Sequence, residues 1–323
     1  MTVAGRCPAC AEPAATADRY CEACGHDLTT AAVADRWVSS AGLPAPCACG
    51  STAPGTDGYC DDCGLPRAVA PDRSAVDLGT AAAVTDRGLH HRRNEDAVAL
   101  GATGGAAFAV VCDGVSTTDR PDAAAHAAVA VAATSLLHDL GGGGTAGAAI
   151  TSAAGAAQTA VARLGGATAA AASCTFVCAV ASAQEVTVGW VGDSRAYWVP
   201  TSGPAAGLTV DDSLAEQLAA AGTDERTAAE HPHAAALVCW LGADATESAP
   251  HLRRLAPDGP GHVVVCSDGL SRYPGIVAAL PEILRTRPPR AAARHLVQAA
   301  LAAGGHDNIT VAVLAWPPQG ADR

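Results

Sequence analysis

The chain contains no lysine; all 20 basic residues among its 323 are arginines. We read this as the codon usage of a GC-rich bacterial genome, not as a feature of the chemistry. Aromatic residues make up only 3% of the chain while 49% is hydrophobic, so a sizeable core is available and must be built from Ala, Val and Leu. Basic excess is also missing. The net charge of −12 argues against a nucleic-acid partner, which needs a positive footprint, and suits a protein that collects divalent cations. The longest Ala-rich stretch, Ala123 to Leu137, carries His126 and two hydroxyl residues and reads as a buried helix. A charged-plus-apolar leader is excluded by Cys7 and Cys10, which arrive too early. The expected address is therefore the cytoplasm, with no membrane partner.

Cysteine is what the N-terminus has in excess. Eight of the 13 cysteines precede residue 65, in four close pairs. A reducing compartment disfavours disulfides, so such pairs point to metal. Cys7-x-x-Cys10 with Cys21-x-x-Cys24 makes one four-thiolate set, and Cys47-x-Cys49 with Cys60-x-x-Cys63 makes a second. Tyr20-Cys-Glu-Ala-Cys-Gly25 recurs as Tyr59-Cys-Asp-Asp-Cys-Gly64, so the two sets read as an internal repeat. Gly25, Gly50 and Gly64 supply the permissive backbone that a zinc knuckle requires. The expectation is a double zinc ribbon over residues 1–64, holding two structural Zn ions. Its three arginines against eight acids make nucleic acid an improbable ligand and leave protein docking by elimination.

Pro66 and Pro71 mark residues 65–77 as a semi-extended linker. Beyond it the texture changes. Apolar runs of β character fall at 107–112, 175–180, 186–191, 262–266 and 309–314. Between them lie helical patterns, 121–140 with proline near its start and Gly141 after its end, and 290–303 closed by Gly304 and Gly305. Gly141 to Gly144 reads as a loop and 201–207 as a hairpin turn. Strands cluster with long helices inserted, so the expected class is α+β with antiparallel pairing, not regular βαβ repeats.

Acidic residues stand at the ends of these runs. Asp113-Gly114, Asp193-Ser194 and Asp268-Gly269 follow apolar runs, Asp307-Asn308 precedes one, and Asn94-Glu95-Asp96 opens the run at Ala97. A carboxylate at the end of a buried strand needs a cation or strong donors. Several converging would repel one another unless divalent metal neutralises them. Oxygen ligands without His or Cys favour Mg or Mn, and a pair of such ions can activate a shared water for in-line attack on phosphorus. Any one Asp-Gly alone reads more readily as a turn than as a ligand; the ordered set is what points to metal.

In this order the motifs resemble the type 2C family of metal-dependent serine/threonine protein phosphatases. The resemblance rests on Thr85-Asp86-Arg87-Gly88 with Asn94-Glu95-Asp96, then Asp113-Gly114, Gly192-Asp193-Ser194-Arg195-Ala196-Tyr197 and Leu208-Thr209-x-Asp211-x-Ser213. It continues through Ser267-Asp268-Gly269-Leu270 and Asp307-Asn308-Ile309-Thr310-Val311, and covers about residues 78–316, leaving 317–323 as a tail. It implies a four-layer αββα sandwich of two antiparallel sheets flanked by helices. It also implies that Asp113 bridges two metals with the Gly114 carbonyl on one of them, and that Asp268 and Asp307 complete the other shell. Glu95 and Asp96 act directly or through water, and Asp193 joins Asp268 on a weaker third ion, giving two or three Mn or Mg. Asn308 orients the ligand it follows. The implied substrate is a phosphorylated protein, modified by a bacterial Ser/Thr kinase.

Two positions depart from that pattern. The family arginine that clamps substrate phosphate, three residues before Asn-Glu-Asp, is His91 here, with Arg92 and Arg93 in a different register. An imidazole is no equal replacement for a bidentate guanidinium. Either His91 acts as a pH-sensitive donor or Arg92 does the work. Ser116-Thr117 stands where many members carry a glycine pair, which alters a loop but removes no ligand. Residues 214–240 are expected as a flap over the cleft, with His231 and His233 solvent-exposed. Cys112, Cys174, Cys178, Cys239 and Cys266 read as small core fillers. A non-catalytic phosphoprotein-binding scaffold is the alternative, supported by His91 alone.

Overall fold

The structure is a computed structural model describing residues 3–6, 13–15, 36–40, 72–103, 105–165 and 170–318. The eight N-terminal cysteines lie outside the described residues. In the N-terminal region three short strands are described: β1 (Val3–Arg6), β2 (Pro13–Ala15) and β3 (Arg36–Ser39). β1 and β2 form an antiparallel pair of their own.

Two six-stranded antiparallel sheets form the body. Sheet 2 contains β4 (Arg73–Asp77), β5 (Ala81–Asp86), β11 (Arg195–Pro200), β12 (Ala206–Gly207), β15 (Gly261–Cys266) and β16 (Ile309–Trp316), ordered β12-β11-β15-β16-β5-β4. Sheet 1 contains β3, β6 (Asp96–Thr103), β7 (Ala106–Asp113), β9 (Phe176–Ala181), β10 (Val186–Val191) and β14 (His251–Leu255), ordered β14-β10-β9-β7-β6-β3. A short pair, β8 (Ser173–Cys174) with β13 (Leu241–Gly242), lies beside them. The run read as a linker thus ends in a strand. Arg73-Ser-Ala-Val-Asp77 alternates exposed and half-buried residues, the period of a strand with one covered face, and pairs with β5.

Helices cover the outer faces. α1 (Pro121–Gly141) and α2 (Ala146–Ala162) pack on sheet 1 around Phe108, Phe176 and Ile150. α5 (Asp268–Ser271), α6 (Pro274–Ala278), α7 (Leu280–Arg285) and α8 (Pro289–Ala302) pack on sheet 2 around Leu270, Leu296 and Ile309. Between the sheets a third cluster sets Val98, Leu100 and Val111 with Val263, Val265 and Leu314. The layers are therefore helix, sheet, sheet, helix. With so few large residues the layers close on alanine: α1 buries Ala124, Ala125, Ala128, Ala132 and Ala133, and α2 buries Ala149, Ala153, Ala154 and Ala157. Small side chains let the helices approach closely, where dispersion is gained over many short contacts. α1 is long and apolar enough by composition to cross a membrane, yet it is packed here between α2 and sheet 1. The remaining helices, α3 (Leu214–Ala220) and α4 (Glu225–Ala229), stand in the segment read as a flap. Ser213 and Asp224 cap them by accepting from the Glu216 and Thr227 amides.

Candidate active site

The connection of residues 87–95 leaves sheet 2 at Asp86 and enters sheet 1 at Asp96, so the crossing between sheets lies at one end of both. β7 ends there at Asp113, β15 runs into Ser267-Asp268, and β16 begins after Asp307-Asn308. Antiparallel register then does the assembly. Asp96 and Asp113 are direct partners across β6 and β7. Ser267 and Thr310 are joined where β15 meets β16, the Ser267 amide donating to the Thr310 carbonyl at 3.1 Å. Two glycines allow the close approach. A Cβ on Gly88, which has φ +75°, would collide with the Asp307 carbonyl, and one on Gly269 would collide with the Asn308 carbonyl.

Asn308 ties the ends together. Its Nδ2 donates to the Arg87 carbonyl at 2.7 Å and the Arg93 carbonyl at 3.1 Å, and its Oδ1 accepts from the Glu95 amide at 2.7 Å. One buried amide thereby holds the crossover against the start of β16. The Asn94 Nδ2 donates to Thr85 Oγ1 at 2.8 Å, and Thr85 in turn contacts Thr310 Oγ1 at 2.7 Å. The Ser267 hydroxyl donates to Asp96 Oδ2 at 2.8 Å.

The carboxylates so gathered repel one another. Burial pushes the Asp113 carboxyl far above its ordinary range, and Asp96, Asp268, Asp193 and Asp307 add to the rise. Asp96 is pushed up to about 7 by burial; hydrogen bonds from Thr310 and Ser267 pull it down, while Asp268 and Asp307 raise it. Asp193 is pushed up to about 7 by burial, then by Asp268 and Asp211. Asp268 rises through burial and Asp307, opposed by Arg272. Like charges set directly opposite on neighbouring strands destabilise a sheet, so this end of the fold calls for positive charge.

Some of that charge is supplied from within the chain. Arg272 Nη2 lies 2.6 Å from Asp268 Oδ2 and 3.3 Å from Asp307 Oδ2. His91 Nε2 lies 3.0 Å from Asp307 Oδ1. Glu95 is held separately, by Ser116 Oγ at 2.6 Å and Arg93 Nε at 3.2 Å. The Ser116 that replaces a glycine therefore grips a carboxylate. Asp96 has no such help on one side: its Oδ1 is buried and unpartnered. Among the described residues no three acidic, His or Cys side chains close up into a ready-made ion cage. Asp268 and Asp307 instead share the Arg272 Nη2 atom, with His91 on the other oxygen of Asp307. The donor set nevertheless fits hard divalent cations: crowded carboxylates of one sign, an orphaned buried oxygen and oxygen ligands only.

Asp96, Asp113, Asp193, Asp268 and Asp307 are thus brought into one electrostatic cluster, with Gly114 directly after Asp113. The Gly114 amide donates to the Glu95 carbonyl at 3.1 Å. Arg92 is exposed and forms no ion pair among the described residues. His231 and His233 are exposed. Cys112, Cys174, Cys178 and Cys266 are buried free thiols, and burial pushes Cys112, Cys178 and Cys266 up, away from nucleophilic use. Sequence reasoning missed Arg272, and it quoted Ser267 and Thr310 within the Asp268 and Asp307 motifs without giving either a role.

The fold and this site define a class, an αββα sandwich with a carboxylate cluster at the open end of its paired sheets. Residues 87–303 match the family described as Protein phosphatase 2C, and because that match spans two thirds of the sequence the chain belongs to this family. Among solved structures it is similar to the Mycobacterium tuberculosis serine/threonine phosphatase PstP/Ppp, with 27% identity, 72% of this chain and 96% of that one covered, and a TM-score of 0.59. It is also similar to the PPM Ser-Thr phosphatase MsPP from Mycobacterium smegmatis, solved with cacodylate, at 26% identity, 72% and 97% coverage, and a TM-score of 0.56. The S. agalactiae serine/threonine phosphatase shares the fold at 23% identity, 72% and 97% coverage, and a TM-score of 0.62. No curated protein matches the chain by sequence.

Proposed function

We propose that this chain hydrolyses phosphoserine and phosphothreonine esters on proteins at the carboxylate cluster, with Asp113, Asp268, Asp307, Asp96, Glu95, Asp193 and the Gly114 carbonyl holding two or three Mn or Mg ions. Membership of the family makes it a protein serine/threonine phosphatase. The observation that supports the metal reading is the facing pair Asp96 and Asp113 with Asp268 and Asp307 beside it, one Asp96 oxygen left unpartnered in the interior. Divalent cations bound there would neutralise this charge, polarise a phosphate ester and acidify water for attack on phosphorus. The chain's own residues set the stage. Ser267 fixes the Asp96 rotamer, Arg93 and Ser116 fix Glu95, and Asn308 fixes the loop on which Glu95 and Asp96 sit.

Residues 1–64 are proposed as a double zinc ribbon with two structural Zn ions that docks a protein partner, interrupted by β3, which pairs with β6 in sheet 1; the catalytic domain, expected over 78–316, takes in β4 as well, so the joining segment shortens to 65–72, and 317–323 is a tail. The substrate is proposed to be the product of a bacterial Ser/Thr kinase, in the cytoplasm. The test is release of inorganic phosphate from a phosphothreonine peptide by the full chain with and without added Mn. Release that requires Mn and is lost in Asp113→Asn supports the reading. A full chain that binds the peptide but releases no phosphate with Mn would be the scaffold instead.

A further inference from the structure

We propose that Arg272 is the phosphate-gripping residue of this enzyme, and that the same guanidinium serves Asp268 and Asp307 as counter-cation until metal displaces it; this rests on the phosphatase reading above. Two of the three arginines of the 87–96 loop are otherwise committed. Arg87 reaches the His91 carbonyl at 3.1 Å and Asp72 at 3.4 Å. Arg93 reaches Glu95 at 3.2 Å and Asp122 at 3.5 Å. Arg92 extends into solvent. His91, standing where an arginine clamp is expected, spends Nε2 on Asp307. Arg195 is locked in a two-pronged pair with Asp211 at 2.7 and 2.8 Å.

Arg272 is different. It caps the C-terminal end of α5, one helical turn after Asp268, so its side chain folds back over the carboxylates by i,i+4 geometry. Its contacts to Asp268 and Asp307 both go through Nη2, while Nε and Nη1 make no hydrogen bond among the described residues. Its side chain is 37% exposed, so it can be approached from solvent. A planar fork with two unused donors beside the acids that would hold metal has the shape and charge to bind the oxygens of a phosphate. A cation held by Asp268 and Asp307 would compete with Nη2 for the same oxygens and would leave the fork available to phosphate. Metal binding and phosphate binding are thereby linked through one side chain.

The experiment measures binding, not turnover. Mn affinity of the metal-free full chain, and affinity of the Mn-saturated chain for inorganic phosphate, are read by calorimetry for wild type, Arg272→Ala, Arg272→Lys and Arg92→Ala. Removing a competing cation from a partly exposed pair should tighten Mn by about two- to fivefold in Arg272→Ala. Removing a charge-assisted donor should weaken phosphate by about tenfold or more in the same protein. Arg272→Lys keeps the charge but not the fork, so Mn affinity should return toward wild type while phosphate stays weak. Unchanged phosphate affinity in both Arg272 variants overturns the proposal, and a loss seen only in Arg92→Ala assigns the grip to Arg92. A wild-type chain that binds phosphate through Arg272 yet hydrolyses no phosphopeptide would sink the phosphatase reading and leave this inference standing.

Discussion

The two sheets bring acids of the same kind to the same end and treat them differently. On sheet 1, Asp96 and Asp113 face each other across neighbouring strands, with the Ser267 hydroxyl donating to Asp96 but no cationic side chain paired with either among the described residues. On the sheet 2 side, Asp268 and Asp307 are met by Arg272 and His91. The first pair is therefore the strained half and the second the compensated half. The lesson is that the sheet 1 pair is left to burial and mutual repulsion, which raise both carboxyls, while the sheet 2 pair is met by an internal guanidinium. External cations would relieve both.

The largest expected effect breaks the comparison at its centre. Asp113→Asn and Asp268→Asn should each lower Mn-dependent phosphate release by about a thousandfold or more, if both halves serve one site. A sheet 1 variant inactive beside a fully active sheet 2 variant would show that they do not. Next comes the tie between the halves. Asn308→Ala removes three hydrogen bonds from a buried side chain and leaves the Glu95 amide unpaired, so urea denaturation should register a loss of about 2–4 kcal/mol. Titration sharpens the contrast. Asp96 and Asp193 hold their protons to about pH 7 in the folded state but only to about pH 4 when unfolded. The folded state binds the extra protons, so the metal-free chain should lose stability as pH rises from about 4 to about 7, by up to about 1.4 kcal/mol per unit for each such group. Added Mn should flatten that slope, and Asp96→Asn should reduce it without metal; a stability that climbs over this range would contradict the crowding. The smallest effect is on the flap, where replacing the exposed His231 and His233 by alanine together should change turnover by less than about twofold.

How much of this could be read in advance depends on local contrast. The acids were legible because each stands at the end of an apolar run, and antiparallel pairing necessarily brings such ends together. β10 was expected over the residues it occupies, and α8 within one residue of its observed ends. α2 was not anticipated, because Ala, Gly and Thr give it too little polar contrast to show a period. β4 was hidden by Pro66 and Pro71 before it, although its own residues alternate. Arg272 was invisible for a different reason: its partner Asp307 lies 35 positions away, and only the turn of α5 brings the guanidinium back over Asp268. Ser267 and Thr310 are ordinary hydroxyl residues until the β15–β16 register sets them beside Asp96.

β3 has a consequence for anyone shortening this protein. Trp37 packs against the core beneath α1 and Val38 against the core between the sheets, while Ser40 exchanges hydrogen bonds with both the amide and the carbonyl of Val98. A version begun at Asp72 to isolate the catalytic body would strip this lining from β6. The uncovered amides and carbonyls of Leu100 to Ala102, beside apolar surface, would then be free to recruit a neighbouring molecule. Such a trimmed protein should self-associate, and supplying residues 36–40 as a free peptide should return it to the monomer.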